Sequence, residues 1–315
     1  MQLCNAVHST FTVGRSEHRM ARNQQAYLRL ELENAYESIS ANCWPNSYRG
    51  PDSFTEQDIV EIAGIRRHLD YREIVDIHKA NIVPPVGGAS LVSIPGSITP
   101  IPEDLRQLIM ITNSIQTEPL RNFIYDAFSC RDFASRFVSL PASHRYHHAF
   151  EGGLLKHSLE CVEIVASCPT LSATARELGT IAALFHDAGK TITMQANKKA
   201  PIGYMVDHDS LTLAALNHSL SLLDSSWTDA AIALRHIWTC RSQKSWGFKA
   251  KMPLVHIVQM ADRISSELDS ENQAFELVEP WRSHAKHPNS EQRYWRLLPY
   301  RNDGAIGGFQ RACHD

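Results

Sequence analysis

An aspartate set among apolar helix-forming residues constrains this fold more than any bulk property, because an ionised carboxylate is buried only beside a cation or several donors. Asp262 is such a residue, standing in MADRISSEL among Val258, Ala261 and Ile264. Two further segments bring metal-ligand side chains to apolar helices. In TARELGTIAALFHDAGK the pair His186-Asp187 lies at the polar end of the helix, with Gly189 placed to close it. In GGLLKHSLE, His157 falls one turn into a helix beside Leu154 and Leu155. Neighbouring helical side chains diverge by about 100°, so an ion held by both His186 and Asp187 must lie off the helix end. Imidazole beside carboxylate suits divalent transition metals, and helical bundles build such sites from facing helices. His157, His186, Asp187 and Asp262 are therefore expected to converge on one ion.

The series His, His-Asp, Asp resembles the HD superfamily of metal-dependent phosphohydrolases, and HDAGK matches that family's lysine three residues after the aspartate. The resemblance implies that His208 in VDHDSLT and His236 in ALRHIW hold a second metal, with Asp187 bridging the two ions. Where many dinuclear members carry another histidine after the His236 position, this chain has Thr239, Cys240, Arg241 and Ser242. Over Leu140 to about Leu268 a narrower likeness holds. LPASHRYHHAFEGGLLKHSLE is similar to the entry segment of the conjugal-transfer TraI-type HD domain of MobH relaxases, and to that of YhaM-type 3′-5′ exoribonucleases. His144, His147 and His148 match the histidine-rich patch of those segments, and are expected to contact a phosphate, to complete the site or to lie in a solvated loop. No stretch reads as the OB-type module that YhaM-type enzymes carry.

The resemblance implies phosphoester hydrolysis by a water activated by one or two divalent ions (Mn, Mg, Fe, Ni or Zn), with Asp187 and Lys190 in catalytic roles. Lys190 either stabilises negative charge on the phosphate or is a solvated helix-end cation. The expected fold is all-α: an HD-domain helical bundle with a helical N-terminal extension. Helices are expected at 19–40, 55–65 and 70–80, because good helix formers dominate there. Ile82 to Pro102, with five prolines and three glycines, reads as an extended connector. Further helices are expected at 102–128, 131–139, 153–168, 173–188, 208–223, 227–240 and 253–269. The expected divisions are 1–101 for the helical region and connector, 102–275 for the metal-hydrolase domain, and 276–315 for a basic-aromatic tail.

Net charge of −3 excludes a generally basic nucleic-acid binder, so partner chemistry must come from local patches. RHIWTCRSQKSWGFKAK (235–251) has five Lys or Arg, no acid, and Trp238, Trp246 and Phe248. A second run, WRSHAKHPNSEQRYWRLLPYR (281–301), has Glu291 as its one acid. Cations interleaved with aromatic faces suit a phosphate backbone with stacked bases, though surface charge and core aromatics produce the same pattern. Arg241, Lys244, His147 and His148 are the substrate-binding candidates. The expected partner is single-stranded nucleic acid, in a setting of DNA mobilisation linked to conjugative transfer, or else a nucleotide. A di-iron oxygenase and a metal-stabilised binding module are the rival functions. Seven cysteines without a CxxC pair argue against a zinc ribbon or disulfide framework, and Cys161 and Cys168 read as core thiols. No segment has the apolar length of a membrane span and the N-terminus lacks a signal pattern, so a cytoplasmic location is expected.

Overall fold

A computed structural model describes residues 5–69, 72–196, 198–240 and 251–299, in two units that divide between Ser266 and Glu267. The first part of the chain is a barrel, not a helical extension. Strands β1 (Ala6–Met20), β2 (Ala26–Glu33), β3 (Ser38–Cys43), β4 (Ile59–Leu69) and β5 (Arg72–Ile82) close in the order β1-β2-β3-β5-β4. Strands β3 and β5 run parallel and the other pairs antiparallel. This is the five-stranded Greek-key barrel of OB type. It overturns the all-α expectation, the helices expected at 19–40, 55–65 and 70–80, and the expectation that an OB-type module is missing.

The physical reason lies in AYLRLELE. Its residues have high helix propensity, but Leu28, Leu30 and Leu32 alternate strictly with Tyr27, Arg29, Glu31 and Glu33. The three leucines are buried while their neighbours are half-exposed. Period-two burial decides in favour of a strand, and propensity is the weaker signal. With Phe11, Val60, Ile62 and Ile77 the leucines fill the barrel interior. Strand β1 pairs with β4 through Ala6–Thr12 and with β2 through Thr12–Met20, with a register shift between Val13 and Arg15. An irregularity of that kind bends a strand so that it serves both sides of a closed sheet.

The proline- and glycine-rich segment is packed rather than extended. It forms helix α1 (Gly88–Val92), and Leu91 and Ile94 enter the main helical core. Val92 and Asn34 carbonyls accept from Ala35 N at 3.0 Å and Gly96 N at 3.1 Å, and Thr12 Oγ1 donates to Ser93 O at 2.6 Å. The segment therefore binds the barrel to the helices beyond it.

Helices α2 (Pro102–Ser114), α3 (Glu118–Ser129), α4 (Arg131–Ser139), α5 (Gly153–Ala166) and α6 (Ala173–Leu184) come next. The helix expected at 102–128 is broken at Ile115–Thr117, where Pro119 starts a new first turn. Helix α7 (Lys190–Thr193) leads into a short antiparallel hairpin, β6 (Met194–Gln195) and β7 (Lys198–Lys199), and a 3-10 turn at Pro201–Tyr204. Helices α8 (His208–Ala215), α9 (Asn217–Thr239, kinked at Trp227) and α10 (Pro253–Phe275) complete the series. Their core contains Phe123, Phe128, Phe133, Phe137 and Phe185 in mutual ring contact, with centroids 5.4–6.2 Å apart.

In the second unit β8 (His284–Lys286) pairs with β9 (Arg293–Trp295). Ala274, Phe275 and Ala285 form a small core, and the Arg296 guanidinium lies 4.2 Å over the Phe275 ring. Among the described residues no helix is long and apolar enough to cross a membrane.

Candidate metal centre and cleft

Three local structures deliver the expected ligands. Ser172 caps α6 by accepting from Ala175 N at 3.2 Å, and the helix ends at Leu184. Phe185, fully buried among the phenylalanine rings, anchors the turn that carries His186 and Asp187. Gly189 does not close α6 with a left-handed residue. Its φ is −62°, and a Cβ there would collide with the His208 carbonyl, so glycine is needed for close approach to α8. His157 lies on α5, which starts after Gly152 at φ 82°, and Asp262 lies on α10.

These elements bring the four predicted ligands together. His157 Nε2 is 3.2 Å from His186 Nε2, 3.2 Å from Asp262 Oδ1 and 3.7 Å from Asp187 Oδ2. His186 Nε2 is 3.4 Å from Asp187 Oδ2 and 3.6 Å from Asp262 Oδ1. The other ring nitrogens are engaged: His186 Nδ1 donates to Ala183 O at 2.7 Å, and His157 Nδ1 meets Ser265 Oγ at 2.9 Å. Ser265 donates to Glu160 Oε2 at 2.7 Å, so it accepts from His157 Nδ1. This network assigns the remaining lone pairs to the two Nε2 atoms, which face each other. Two lone pairs and two carboxylates at such distances require a positive charge between them, and ligand separations of about 3.0–3.5 Å follow from metal bonds of about 2.0–2.2 Å. The donor set fits a divalent cation.

The same demand for positive charge shows at His186 Nε2, where a cation and a proton compete for one lone pair. Burial depresses His186, but the Asp187 and Asp262 carboxylates overcome it and hold the imidazole well above its ordinary value. Burial would raise Asp187, yet Lys190 and His186 hold its carboxyl well below the usual range. Asp262 is likewise held below it, against burial, by His157 and His186. Burial lowers His157 despite its bond to Asp262.

Asp187 uses its second oxygen elsewhere. Oδ1 is 3.1 Å from His208 Nε2, which is 2.9 Å from Asp209 Oδ1. Burial opposes the charge on His208, but bonds to Asp187 and Asp209 raise it to about 9. Asp187, His208 and Asp209 thus form a second candidate metal group, with Asp187 between the two. His236, on the last turn of α9, is half-buried and belongs to neither group among the described residues. Lys190 is not a solvated helix-end cation: it is buried, with Nζ 2.5 Å from Asp187 Oδ2.

Three residues near the site carry roles that the sequence does not announce. Glu160, Ser265 and Asp209 stand one turn after His157, one turn after Asp262 and next to His208, so helical spacing is the signal that could single them out. Cys161, a core thiol as expected, has Sγ 3.9 Å from His157 Nε2. Burial pushes that thiol to about 12, but a bound cation would favour the thiolate, and Cys161, His157 and His186 form a candidate metal group with ligand atoms within 4.8 Å of one another. His148 is buried with Nε2 3.0 Å from Glu160 Oε2, which places it behind His157 and not on a substrate surface. Such partners of a ligating histidine fix its tautomer and orientation. Substituting Ser265→Ala or Glu160→Gln is expected to weaken metal affinity by about 10- to 100-fold, read by titration with a competing chelator; unchanged affinity in both would refute the relay.

A cleft of about 790 Å³ opens beside Lys190 and His208. His147 lines it, 5.2 Å from the His157 ring between centroids. Burial, then the Lys190 and His157 charges, lower His147 to about 4, so it is neutral at pH 7. Arg145, Lys198 and Lys199 also line the cleft. The expected binding residues Arg241 and Lys244 lie outside the described residues, as do Trp246 and Phe248. Trp238 is a core residue that donates Nε1–H to Ala182 O at 2.9 Å, and Arg235 makes a bidentate pair with Asp224 at 2.9 and 2.6 Å.

Comparison with known proteins gives two findings. The family model TraI_2, described as "Putative helicase", matches residues 97–199. Over most of its length the chain is similar to curated proteins named 3′-5′ exoribonuclease YhaM. It is 23% identical to that of Bacillus velezensis over 291 residues, covering 87% of this chain and 89% of the relative. With the Bacillus subtilis protein it shares 22% identity, covering 83% and 85%, and with the Shouchella clausii protein 23%, covering 87% and 88%.

Proposed function

We propose that this chain is a metal-dependent phosphodiesterase that shortens single-stranded RNA from its 3′ end. The observation that carries the reading is the convergence of His157, His186, Asp187 and Asp262, whose donor atoms lie 3.2–3.7 Å apart. Those four residues would hold one ion, and Asp187, His208 and Asp209 a second. When bound, such ions supply positive charge to a phosphoryl oxygen and acidify a water. Lys190 orients Asp187 and offsets its charge. His147, neutral and facing the cleft, can hydrogen-bond a substrate oxygen.

RNA is favoured over a free nucleotide by the barrel and by the relatives named as exoribonucleases. On the β2–β3 side of the barrel, where OB-type barrels bind oligonucleotides, Tyr27 and Trp44 stack with centroids 4.5 Å apart. Trp44 Nε1 donates to Asp76 Oδ1 at 2.9 Å, and Arg67 Nε pairs with Asp76 Oδ2 at 2.8 Å, which holds a cation near the rings. Aromatic faces with arginine are a sequence-tolerant platform for bases and phosphates. The TraI_2 match covers part of the metal centre, with His157, His186 and Asp187, and none of the barrel, so RNA decay, not DNA mobilisation, is the setting proposed.

Manganese-loaded protein should release mononucleotides at once from a 3′-labelled single-stranded RNA, while the same RNA labelled at its 5′ end shortens stepwise. Single-stranded DNA and duplex RNA serve as comparisons, and chelation should stop the reaction. Absence of cleavage of every substrate by metal-loaded protein would refute the proposal.

A further inference from the structure

The flank of the cleft formed by the β6–β7 hairpin and the turn after it carries a chemistry that the metal centre does not use. Lys198 and Lys199 form β7 and line the cleft, as does Tyr204, the last residue of the Pro201–Tyr204 turn. Tyr204 is 70% exposed and the adjoining Met205 87%, with Ile202 also in water. Exposed apolar side chains on a mobile loop would need no explanation, but this turn is held firmly.

Ala200 N donates to Thr193 O at 2.9 Å, Gly203 N to Ala200 O at 2.9 Å, and Val206 N to Ile202 O at 2.9 Å. Gly203 lies so close to Thr193 that a Cβ would collide with its carbonyl. Thr193 ends the helix that Lys190 begins, and Arg136 clamps that helix by donating to Thr191 O at 2.6 Å and Met194 O at 2.7 Å. An exposed aromatic side chain thus stands on a backbone held in place, lining the same cleft as Lys198 and Lys199 and a few residues from His208. Among the described residues that line the cleft, Asp207 is the one carboxylate outside the metal centre.

We propose that this hairpin and turn are a nucleotide clamp: Lys198 and Lys199 take backbone phosphates of a single strand, and Tyr204 stacks on a base beside the scissile bond. The clamp rests on the hydrolase reading above and adds to it the recognition of an unpaired base. A rigid ring offered to solvent binds the π-face of any base, and in a duplex that face is already covered, so the clamp selects single strands without reading sequence. The lysines act through charge, and their contribution must fall with salt.

The test separates binding from cleavage. Anisotropy of a fluorescent oligoadenylate of about 12 nucleotides, within the usual range of single-strand site sizes, is measured with full-length protein in chelator. Tyr204→Ala should weaken binding by about 5- to 100-fold, as loss of one stacked base does, and Tyr204→Phe should bind nearly as the parent does. Lys198→Ala/Lys199→Ala should reduce the slope of log Kd against log salt by about 1.4, or about 0.7 per phosphate contact. Circular dichroism melts establish that each variant is folded. Unchanged affinity in Tyr204→Ala, an equal loss in Tyr204→Phe, an unchanged salt slope, or no binding by the parent would each overturn the clamp. Hydrolysis of bis-p-nitrophenyl phosphate by metal-loaded parent protein decides the hydrolase reading separately, since that substrate has no nucleobase and no further phosphate.

Discussion

Replacing Asp187 with alanine is expected to remove metal binding at both candidate groups and to destabilise the protein by about 3–5 kcal/mol, the cost of leaving one member of a buried ion pair alone. Two features set this residue apart from the other ligands. Asp187 spends both oxygens, Oδ2 toward His157, His186 and Lys190, and Oδ1 toward His208. Its removal also strands Lys190, whose buried ammonium is 2.5 Å from the lost carboxylate. The double variant Asp187→Ala/Lys190→Met should therefore regain much of the stability without regaining metal or activity. Denaturant unfolding of the two variants, with metal content measured on the same samples, checks this. If Asp187→Ala alone unfolds like the parent, the buried pair does not have the role assigned to it.

Metal removal should give the second large effect. The lone pairs of His157 and His186 face each other at 3.2 Å, so an ion bound there belongs to the folded state alone. At a metal concentration about a thousandfold above Kd, binding adds about 4 kcal/mol of apparent stability. Chelation should remove that increment together with all phosphodiesterase activity, and manganese should restore both. Unfolding midpoints that ignore manganese over the range that restores activity would show that the ion binds elsewhere.

Residues with a steep energetic cost are legible in the sequence, and those whose meaning depends on a partner are not. The His186-Asp187 pair stands out because a carboxylate in apolar surroundings demands compensation, whereas Asp262, expected on the same ground, has a side chain 46% exposed with Ile264 exposed nearby, and joins the site through its contact with His157. Glu160 and Ser265 are ordinary helix residues until the fold places one behind the other. Leu28, Leu30 and Leu32 carry the barrel's signal openly as period two, but the helix propensity of the intervening Arg29 and Glu31 masks it. Order along the chain points to His236 for the second metal group, whereas the turn at Asp207 brings Asp209 there. The run from Trp238 to Phe248 has the pattern of a binding surface, but Trp238 is drawn inward by the Ala182 carbonyl and a hydrophobic socket.

The packed segment between barrel and helices has a consequence for anyone who would take the protein apart. Leu91 and Ile94 precede the first long helix yet fill the helical core, and Ala35, from the loop after β2, joins them there. A cut at residue 101 would divide one hydrophobic interior, leaving an apolar wound on the helical fragment and Ala35, Leu91 and Ile94 uncovered on the barrel fragment. The two parts should melt in a single transition and resist proteolysis at their junction. They are then not free to be exchanged as modules: a lineage that lost its barrel would have to rebuild the helical core as well.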